Sequence, residues 1–323
     1  MKERTIWGRM AIKRLFVIGN GFDLHHNLPT GFNGFRDYVK KEFPESYDYI
    51  SKFILKESSE EEKDWNDIEN ELAETLALNY DEMLEEAILS SEMNMDRASY
   101  WSDIQFNAEY YNQELPNLRK AFDEWVDGIE ILGVVRPDKE IVFSKEDLFL
   151  NFNYTETLQK LYGVEESQIV YIHGRKGTLK VFGHNKTFFE PLPMSRLTQE
   201  DYDLGCEDDW RIEEAKAILN GIPKLFLKDS GAIIRNNCKF FDSFKDFEEI
   251  VFMGWSLGKQ DEIYMKKILS CLSDEARIWV VYYVPENASR YQRYFEEYGG
   301  FSQEVMYYPW EEIGAIFKSN RVC

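Results

Sequence analysis

The sequence predicts an α/β protein whose Rossmann-like, doubly wound and mostly parallel sheet is interrupted by a large all-helical insertion. Short apolar runs alternate with helical patterns in the C-terminal part of the chain, which is typical of parallel sheets covered by helices on both faces. No strand pattern occurs between residues 46 and 132. We therefore expect a Rossmann-like domain built from residues 1–45 and 133–323, with residues 46–132 as the insertion.

The N-terminal part of the chain begins with a strand pattern. Residues 14–18 are a short, mostly apolar run that a glycine ends, and such runs predict buried strands rather than helices. Aromatic and aliphatic residues then recur at helical spacing over residues 32–43, with Thr30 as the predicted cap. A second methionine, Met10, precedes the strand, so we expect residues 1–9 to be an extension outside the core.

The insertion is predicted to be helical throughout. Residues 64–89 and 109–131 carry apolar side chains at the three- and four-residue spacing of a buried helix face. Acidic residues are concentrated in residues 57–74, and we expect them to form a solvated helix face rather than a cation site.

Strand patterns return after the insertion and alternate with helices. Residues 147–152 and 168–173 are predicted strands, and residues 179–182 are a further candidate. Later strands are expected at residues 250–253 and 278–284. The helical patterns fall on residues 155–161, 208–219, 260–272 and 288–298. This alternation predicts βαβ units with parallel strands.

Composition and charge exclude several classes of protein. The 323 residues contain 38 Lys and Arg against 59 Asp and Glu, a net charge of −21, which repels the phosphate backbone of nucleic acids and anionic lipids. The longest apolar run, residues 278–284, is far shorter than the roughly 20 residues of a membrane span. We expect neither bulk nucleic acid nor a membrane as a partner.

The start of the chain and its cysteines indicate a cytoplasmic location. No apolar segment follows the charged N-terminus, so no signal peptide is expected. The four cysteines lie tens of residues apart without a C-x-x-C pair, which argues against a zinc ribbon and a disulfide framework. His25 and His26 are adjacent and cannot share a helix face. We therefore expect reduced thiols and no metal.

The first candidate site follows the first predicted strand. Gly19, Asn20 and Gly21 form a G-x-G turn that lets a ligand approach bare backbone and places a phosphate near a helix N-terminus. Leu24 stands where the third glycine of the dinucleotide fingerprint would be. Asp23 could accept a hydrogen bond from a ribose hydroxyl or cap the helix. A tight turn without a ligand is the alternative interpretation.

Two further candidates stand at the ends of the next predicted strands. Asn153 lies in the stretch Asn-Phe-Asn-Tyr-Thr of residues 151–155, and His173 precedes a glycine. Ligands of doubly wound sheets bind over the carboxyl ends of strands, and His173 is the best available general base. Asn153 could instead cap the next helix, and His173 could be a packed or hydrogen-bonded scaffold residue. His184, which follows a glycine, is a weaker candidate.

The last candidate is a glycine-rich loop in the C-terminal part of the chain. Gly254, Ser256 and Gly258 match the G-x-S-x-G pattern of a nucleophile elbow, and Asp261 follows. A serine hydrolase of that type needs a histidine later in the chain, but none follows His184. We therefore favour a second ligand-facing loop at a strand end.

Taken in order, these stretches resemble the AbiH family of bacteriophage abortive-infection proteins. The resemblance reaches from the first strand to Asp261 and covers most of the chain. It implies a role in phage defence. The matching stretches are Leu15-Phe-Val-Ile-Gly-Asn-Gly-Phe-Asp-Leu24, Leu28-Pro-Thr30, Trp65-Asn-Asp-Ile-Glu69, Asn151-Phe-Asn-Tyr-Thr155, Ile172-His-Gly174 and Gly254-Trp-Ser-Leu-Gly258.

AbiH-like chains are in turn similar to sirtuin-like (SIR2-like) NAD-binding domains, several of which degrade NAD in phage defence. This similarity implies that Gly19 and Gly21 hold the dinucleotide. It also implies that Asn153 and His173 flank the nicotinamide ribose, and that the loop of residues 254–256 contacts the adenosine side. The implied cofactor-binding set is completed by Asn20, Asp23 and Asp261.

Two positions depart from the sirtuin pattern. Thr155 stands where that pattern has Asp after its Asn, and Asp23 stands where it has a small residue or Ser. Either change could mean altered chemistry, or a retained pocket without catalysis. The zinc cysteines of sirtuins are absent, so a deacetylase is not expected.

The activity implied by the resemblance is that of an NAD glycohydrolase, in which loss of nicotinamide passes through an oxocarbenium-like sugar. Asn153 would orient the ribose or the attacking water, and His173 would accept a proton. The insertion would close the site or mediate oligomerisation. Three alternatives stay open: a nucleotide-sensing module without turnover, a toxin acting on nucleic acid, and a protein-interaction subunit of a defence system. A homo-oligomer or a defence-system partner is expected.

Overall fold

The computed structural model describes residues 13–55, 64–77, 97–134, 141–186, 191–192, 210–256, 258–283, 285–298 and 303–314. The chain divides into two compact units. The first is formed by Met1–Thr30, Ile129–Lys180 and Ser230–Cys323, and the second by Gly31–Gly128 and Val181–Asp229. The domain division expected above stays a prediction, and the expected extension before Met10 lies outside the described residues.

The first unit is built on a parallel sheet, to which the described residues contribute six strands. The strands are β1 (Arg14–Ile18), β2 (Leu148–Asn151), β3 (Ile169–Tyr171), β4 (Glu249–Met253), β5 (Arg277–Tyr282) and β6 (Val305–Pro309). Every neighbouring pair is parallel, and the order across the sheet is β3-β2-β1-β4-β5-β6. The prediction of an α/β protein with a parallel sheet is confirmed, and this order is compatible with a Rossmann-like fold.

Apart from Arg14 and Glu249 at their amino ends, the central strands β1 and β4 are apolar, because both faces of the sheet are covered. All five residues of β1 and all five of β4 are buried. Leu15 and Val17 belong to one hydrophobic cluster, whereas Phe16 and Ile18 belong to the other, since successive side chains of a strand point to opposite faces. Burying each such large side chain contributes about 1.5–3 kcal/mol.

The helices largely follow the predicted patterns. In chain order they are α1 (Asn20–His25), α2 (Phe32–Glu42), α3 (Pro44–Tyr49), α4 (Ile68–Ala77), α5 (Arg97–Gly128), α6 (Thr157–Tyr162), α7 (Trp210–Leu219), α8 (Ser230–Asn236), α9 (Cys238–Asp242), α10 (Glu262–Cys271) and α11 (Pro285–Tyr298). A π-helical turn covers Ile50–Ile54, and short 3-10 turns cover Trp65–Asp67, Glu166–Gln168, Ile222–Phe226, Ser243–Asp246, Lys259–Asp261 and Trp310–Glu312.

The second unit is helical around an aromatic core. Trp65, Phe35 and Phe122 are fully buried. The ring of Phe35 contacts those of Trp65 and Phe122 edge-on, with centroids 5.7 and 5.4 Å apart, and Phe122 stacks on Phe182 at 4.3 Å. Between residues 46 and 132, the described residues contain no strand, as predicted. Residues 78–96 of the longest predicted helix, and residues 56–63 of the acidic stretch, lie outside the described residues.

Three details of the sequence prediction are wrong. The residue that caps α2 is Gly31 rather than Thr30. Residues 179–182 form no strand, and Phe182 packs in the aromatic core instead. Strand β6 escaped prediction because its sequence ends in proline; as an edge strand it tolerates that residue.

Among the described residues, no helix combines the length and the apolar character that crossing a bilayer requires.

Candidate functional site

The loops after β1 and β4 meet at the carboxyl edge of the sheet. The Gly19 amide donates to the Met253 carbonyl at 3.0 Å, and the Gly21 amide donates to the Gly254 carbonyl at 2.8 Å. A Cβ at Gly21 would lie 2.8 Å from the Gly254 Cα. Gly254 has a φ of +67°, and a Cβ there would overlap the backbone nitrogen of Phe22. Glycine is therefore required on both loops by their close approach.

The same contacts occupy amide groups that a phosphate would otherwise bind. Besides the Gly19 and Gly21 amides, the Phe22 amide donates to the Gly19 carbonyl at 2.9 Å. The Asn20 side-chain amide donates to the Thr30 carbonyl at 3.0 Å. Close packing thus accounts for the two glycines without a ligand, and their roles in binding a cofactor stay predictions.

A buried polar network joins the loop after β1 to the loop after β2. Asp23 is 0% exposed and accepts hydrogen bonds from Thr155 Oγ1 at 2.5 Å and Thr157 Oγ1 at 2.7 Å. The side chain of Asn153 also lowers the pKa of this carboxyl group. Asp23 therefore neither caps α1 nor lies on the surface. It links two loops that are more than 130 residues apart in sequence.

Burial raises the pKa of Asp23 from 3.8 to about 6, although the hydrogen bonds from Thr155, Thr157 and Asn153 lower it. Desolvation disfavours the charged form of a carboxyl group more than three neutral donors favour it. Among the described residues, no cation contributes to this pKa. Asp23 is thus a carboxyl group whose protonation changes close to physiological pH.

The loop after β2 is held at both ends. Asn151 Oδ1 accepts a hydrogen bond from the Asn153 amide at 3.0 Å. Tyr171, on β3, donates through its hydroxyl to Gln159 Oε1 at 2.7 Å and contacts the Thr155 carbonyl at 3.2 Å, and burial raises the pKa of this tyrosine to about 12. Asn153 is 5% exposed. It does not cap α6, since the residue before that helix is Glu156.

His173 lies among aromatic rings with a carboxylate beside it. Its ring contacts Phe152 and Tyr264 edge-on, with centroids 5.3 and 5.6 Å apart. His173 Nε2 is 3.8 Å from Asp261 Oδ1, and Asp261 Oδ2 accepts a hydrogen bond from Trp255 Nε1 at 3.3 Å. The structure therefore brings Asp261 to His173, where it could assist proton transfer.

Ser256 stands apart from these contacts. Its side chain is exposed, and its carbonyl accepts a hydrogen bond from Arg290 Nη2 at 3.1 Å. Phe152 and Trp255 stack at 4.6 Å beside it. The surrounding residues contact the backbone of this loop rather than the Ser256 hydroxyl.

The other histidines are placed differently. His26 is buried, with Nδ1 2.7 Å from the Phe22 carbonyl and Nε2 2.7 Å from the Tyr162 hydroxyl, so it is a hydrogen-bonded scaffold residue. His184 is buried in the second unit, where its backbone pairs with residues 226–228. His25 packs against Trp310 at 4.3 Å. No group of three or more possible metal ligands occurs among the described residues.

Three basic residues near these motifs in sequence have other partners. Arg14 is buried at the amino end of β1, where Nε and Nη2 bind Asp147. Arg175 Nη2 pairs with Glu166 at 2.5 Å, and Lys176 Nζ donates to the Ile129 carbonyl at 3.2 Å. Arg14 therefore lies at the edge of the sheet opposite to the candidate site residues.

Sequence reasoning missed Thr157, the second hydroxyl donor to Asp23. A signal was available, because polar residues alternate over Asn151, Asn153, Thr155 and Thr157 where the strand leads into α6. It also missed Tyr264, whose ring contacts His173 from α10. That contact joins residues from distant parts of the chain, and no local pattern indicates it.

These features define an α/β protein with a parallel sheet, a Rossmann-type strand order and a cluster of polar residues at its carboxyl edge. A family model described as bacteriophage abortive infection AbiH matches residues 15–283. Because this match spans most of the chain, the protein belongs to the AbiH family, which links it to abortive infection of bacteriophage. No significant match was found among curated proteins or among solved structures.

Proposed function

We propose that the carboxyl edge of the sheet binds a nucleotide in a SIR2-like pocket, and that this nucleotide is NAD, which the protein cleaves as part of phage defence. The proposal is carried by one observation, the meeting of four separate loops at this edge. The contacts are Gly21 with Gly254, Asp23 with Thr155, Phe152 with His173, and His173 with Asp261.

The position of this cluster in the sheet supports the proposal. The strand order reverses between β1 and β4, since the chain proceeds outward from β1 to β3 on one side and from β4 to β6 on the other. Open α/β sheets bind their ligands at such a switch point, beyond the carboxyl ends of the strands. Gly21 and Gly254 follow β1 and β4, the two strands between which the order reverses.

The two departures from the sirtuin pattern support a retained ligand site. In that pattern the second loop carries the carboxylate, whereas here Asp23 supplies a carboxylate from the first loop and Thr155 supplies a hydroxyl from the second. The two side chains are in direct contact. One carboxylate and one hydroxyl thus remain between the two loops, with their positions exchanged.

The proposed reaction breaks the bond between nicotinamide and C1′ of the ribose. Water adds to C1′, and nicotinamide leaves with the bonding electron pair, so the products are nicotinamide, ADP-ribose and one proton. Asn153 orients the ribose or the water, and His173 accepts the proton. Asp261 stabilises the imidazolium that forms, as a carboxylate beside a catalytic histidine does.

A nucleotide sensor without turnover is the second candidate. It is favoured by the amides of Gly19, Gly21 and Phe22, which already donate within the protein. With fewer donors to bind the pyrophosphate, less binding energy is available to distort the nicotinamide ribose toward its transition state. In this candidate the same cluster recognises the nucleotide, and a partner of the defence system carries out the response.

The test follows nicotinamide release and ligand binding together. Purified protein is incubated with NAD while nicotinamide is quantified, and binding of NAD and ADP-ribose is measured by calorimetry. We expect release by the wild-type protein and loss of release in Asn153→Ala and His173→Ala. Asn236→Ala, which changes an exposed asparagine at the end of α8, is the matched control and should behave as wild type.

Each outcome selects one interpretation. Release that both variants retain contradicts the proposed mechanism. Binding without release, weakened by the two variants, selects the sensor. The same variants are then compared in cells during phage infection, with cellular NAD as the readout, because a defence protein can require an infection signal. Absence of binding, of release and of NAD loss in infected cells contradicts both candidates.

A further inference from the structure

We infer that Trp255 is a positioning residue whose indole N–H holds the Asp261 carboxylate beside His173. The inference rests on the proposed function, because it concerns the histidine that would accept the proton. It assigns to the side chain of Trp255 a role that acts through Asp261 rather than through a contact with the nucleotide.

The indole of Trp255 is itself held in place. It is 4% exposed and stacks on Phe152 and Phe252, with ring centroids 4.6 and 5.6 Å apart. The Trp255 carbonyl accepts a hydrogen bond from the Tyr291 hydroxyl at 3.0 Å. A Cβ at Gly19 would overlap the Trp255 Cα, so the backbone is also tightly packed. Ring and backbone are restrained separately, which fixes the direction in which the indole N–H points.

The carboxylate of Asp261 bridges this indole and the imidazole of His173. Its Oδ2 accepts a hydrogen bond from Trp255 Nε1 at 3.3 Å, and its Oδ1 lies 3.8 Å from His173 Nε2. The ring of Phe152 contacts both Trp255 and His173. The two rings, Phe152 and the carboxylate thus form a closed ring of contacts that joins the loops after β2, β3 and β4.

Asp261 occupies a position from which an aspartate commonly caps a helix. It directly precedes α10, yet its side chain forms no capping hydrogen bond to the described first turn of that helix. Aspartate is among the preferred capping residues because its carboxylate satisfies amides of the first turn. The helix therefore offers the carboxylate a competing position, and the hydrogen bond from Trp255 favours the position beside His173.

Packing alone does not account for a tryptophan here. A phenylalanine could stack on Phe152 and Phe252, but it would have no N–H to donate. A buried indole N–H needs an acceptor, whereas the Asp261 side chain is 16% exposed and accessible to water. The hydrogen bond therefore restrains the carboxylate more than the carboxylate requires it.

The role of Trp255 follows from the proposed reaction. A carboxylate beside a catalytic histidine orients the imidazole and stabilises the imidazolium that forms when the histidine takes a proton. A carboxylate that turned to the end of α10 would do neither. Loss of the indole N–H should therefore slow the chemical step and leave the binding of NAD unchanged.

The first test compares Trp255→Phe with Trp279→Phe. Trp279 is also buried, belongs to the hydrophobic cluster on the other face of the sheet, and has no hydrogen-bond partner for Nε1 among the described residues. We expect Trp255→Phe to lose about 10- to 100-fold in kcat for nicotinamide release, as for a misplaced catalytic group. KM in this variant, and both constants in Trp279→Phe, should stay within about threefold of wild type. Equal losses of kcat in the two variants, or wild-type kcat in Trp255→Phe, would overturn the inference.

A double-mutant cycle separates this role from a general effect on structure. In the Asp261→Ala background, adding Trp255→Phe should lower kcat by less than about threefold, because the carboxylate through which Trp255 acts is already absent. Effects of the two substitutions that multiply would show that Trp255 acts independently of Asp261, and would contradict the inference.

The last test needs no NAD. In protein labelled with 15N-tryptophan, the indole resonances of Trp255 and Trp279 are assigned from their disappearance in the two Phe variants. Asp261→Ala should shift the resonance of Trp255 and leave that of Trp279 in place. With 15N-histidine, the ring resonances of His173, assigned through His173→Gln, should move in Trp255→Phe and in Asp261→Ala but not in Trp279→Phe.

The outcomes of this test do not depend on turnover. An unmoved Trp255 resonance in Asp261→Ala, or unmoved His173 resonances in Trp255→Phe, would overturn the inference. Both shifts in a protein that releases no nicotinamide would support the inference while the proposed function fails.

Discussion

Two buried carboxyl groups lie at opposite ends of the β1–β2 pair, and their partners differ. At the amino edge of the sheet, Asp147 accepts hydrogen bonds from Arg14 Nε and Nη2 at 3.0 and 2.8 Å. A second ion pair, Arg277 with Glu249 at 2.7 Å, lies at the same edge. At the carboxyl edge, the donors to Asp23 are the hydroxyl groups of Thr155 and Thr157, and no described cation contacts it.

The difference distinguishes the amino edge, whose buried charges are paired, from the carboxyl edge, at which we propose the functional site. Burial raises the pKa of both Asp147 and Asp23, and Arg14 opposes the increase at Asp147. The amino edge thus compensates its charges within the protein. The carboxyl edge keeps an uncompensated carboxylate beside Asn153, and groups with shifted pKa values and unfavourable burial are typical of functional sites.

The largest expected effect comes from breaking the buried ion pair at the amino edge. In Arg14→Met the buried Asp147 carboxylate loses its partner, and removing one member of a buried ion pair costs about 3–5 kcal/mol. Urea unfolding at pH 7 should show a loss of this size. The double variant Arg14→Met with Asp147→Asn should recover part of it, because no charge is then buried. A loss below about 1 kcal/mol, as for an exposed pair, would contradict the comparison.

The buried Asp23 carboxyl group at the carboxyl edge should make the stability of the protein depend on pH. The pKa of Asp23 is about 6 in the folded protein and 3.8 when unperturbed, so the folded state binds the proton more tightly. The resulting stabilisation is fully present below about pH 4 and is lost as the pH rises through 6. Its size is about 3 kcal/mol at 1.36 kcal/mol per pH unit.

Comparison with Asp23→Asn isolates this contribution from those of other groups. Between pH 4 and pH 7.5, the unfolding free energy of the wild type should fall relative to that of the variant by about 2.4 kcal/mol, because the unfolded carboxyl group is already partly ionised at pH 4. Chemical denaturation at several pH values provides the measurement. A difference that does not vary with pH would show that Asp23 has an ordinary pKa, and the contrast with Asp147 would disappear.

A smaller effect is expected where the loops after β1 and β4 meet. Gly254→Ala places a Cβ against the backbone of Phe22 and Gly21 at a φ of +67°, and overpacking with backbone strain costs about 1–3 kcal/mol. Gly258→Ala is the matched control, since a Cβ at Gly258 would lie 3.9 Å from Ser256 Oγ, an ordinary contact distance. Denaturant unfolding of the two variants gives the comparison. Equal stability of the pair would mean that the two loops are not held together as described.

The smallest effect is expected at Arg175. Its guanidinium pairs with Glu166, whose side chain is 71% exposed, and exposed ion pairs contribute about 0–1 kcal/mol. Arg175→Gln should therefore leave the unfolding free energy nearly unchanged, and it should also leave NAD binding unchanged. A marked loss of NAD affinity with unchanged stability would contradict this expectation and would place Arg175 in the ligand site.

Local pattern was sufficient for most elements of the sheet. The strand predicted over residues 14–18 coincides with β1, and the alternation after residue 147 led to β2, β3, β4 and β5. The period of the apolar residues and the positions of the glycines involve only a few neighbouring residues, so they can be recognised in a single sequence. Strand β6 was missed because its sequence ends in proline. The strand predicted over residues 179–182 does not form, and Phe182 packs instead against Phe122, which is distant in sequence.

The candidate site was predictable as a set of stretches but not as a set of contacts. Asn153 and His173 were singled out because each follows a predicted strand. The partnership of Asp23 with Thr155 and Thr157, and that of Asp261 with His173, could not be inferred. These contacts join residues separated by 132, 134 and 88 positions, and they depend on which strands are neighbours.

The sequence by itself determined the parallel α/β class, the loops that follow its strands and the membership of the AbiH family. Short-range sterics and the hydrophobic period depend on residues that are close in sequence, so these features could be predicted without coordinates. Only the tertiary structure decided that Arg14 belongs to the amino edge, and that Asp23 is a buried acceptor between two loops. The strand order β3-β2-β1-β4-β5-β6 makes those assignments, because it sets which strand ends are adjacent and which residues share an edge.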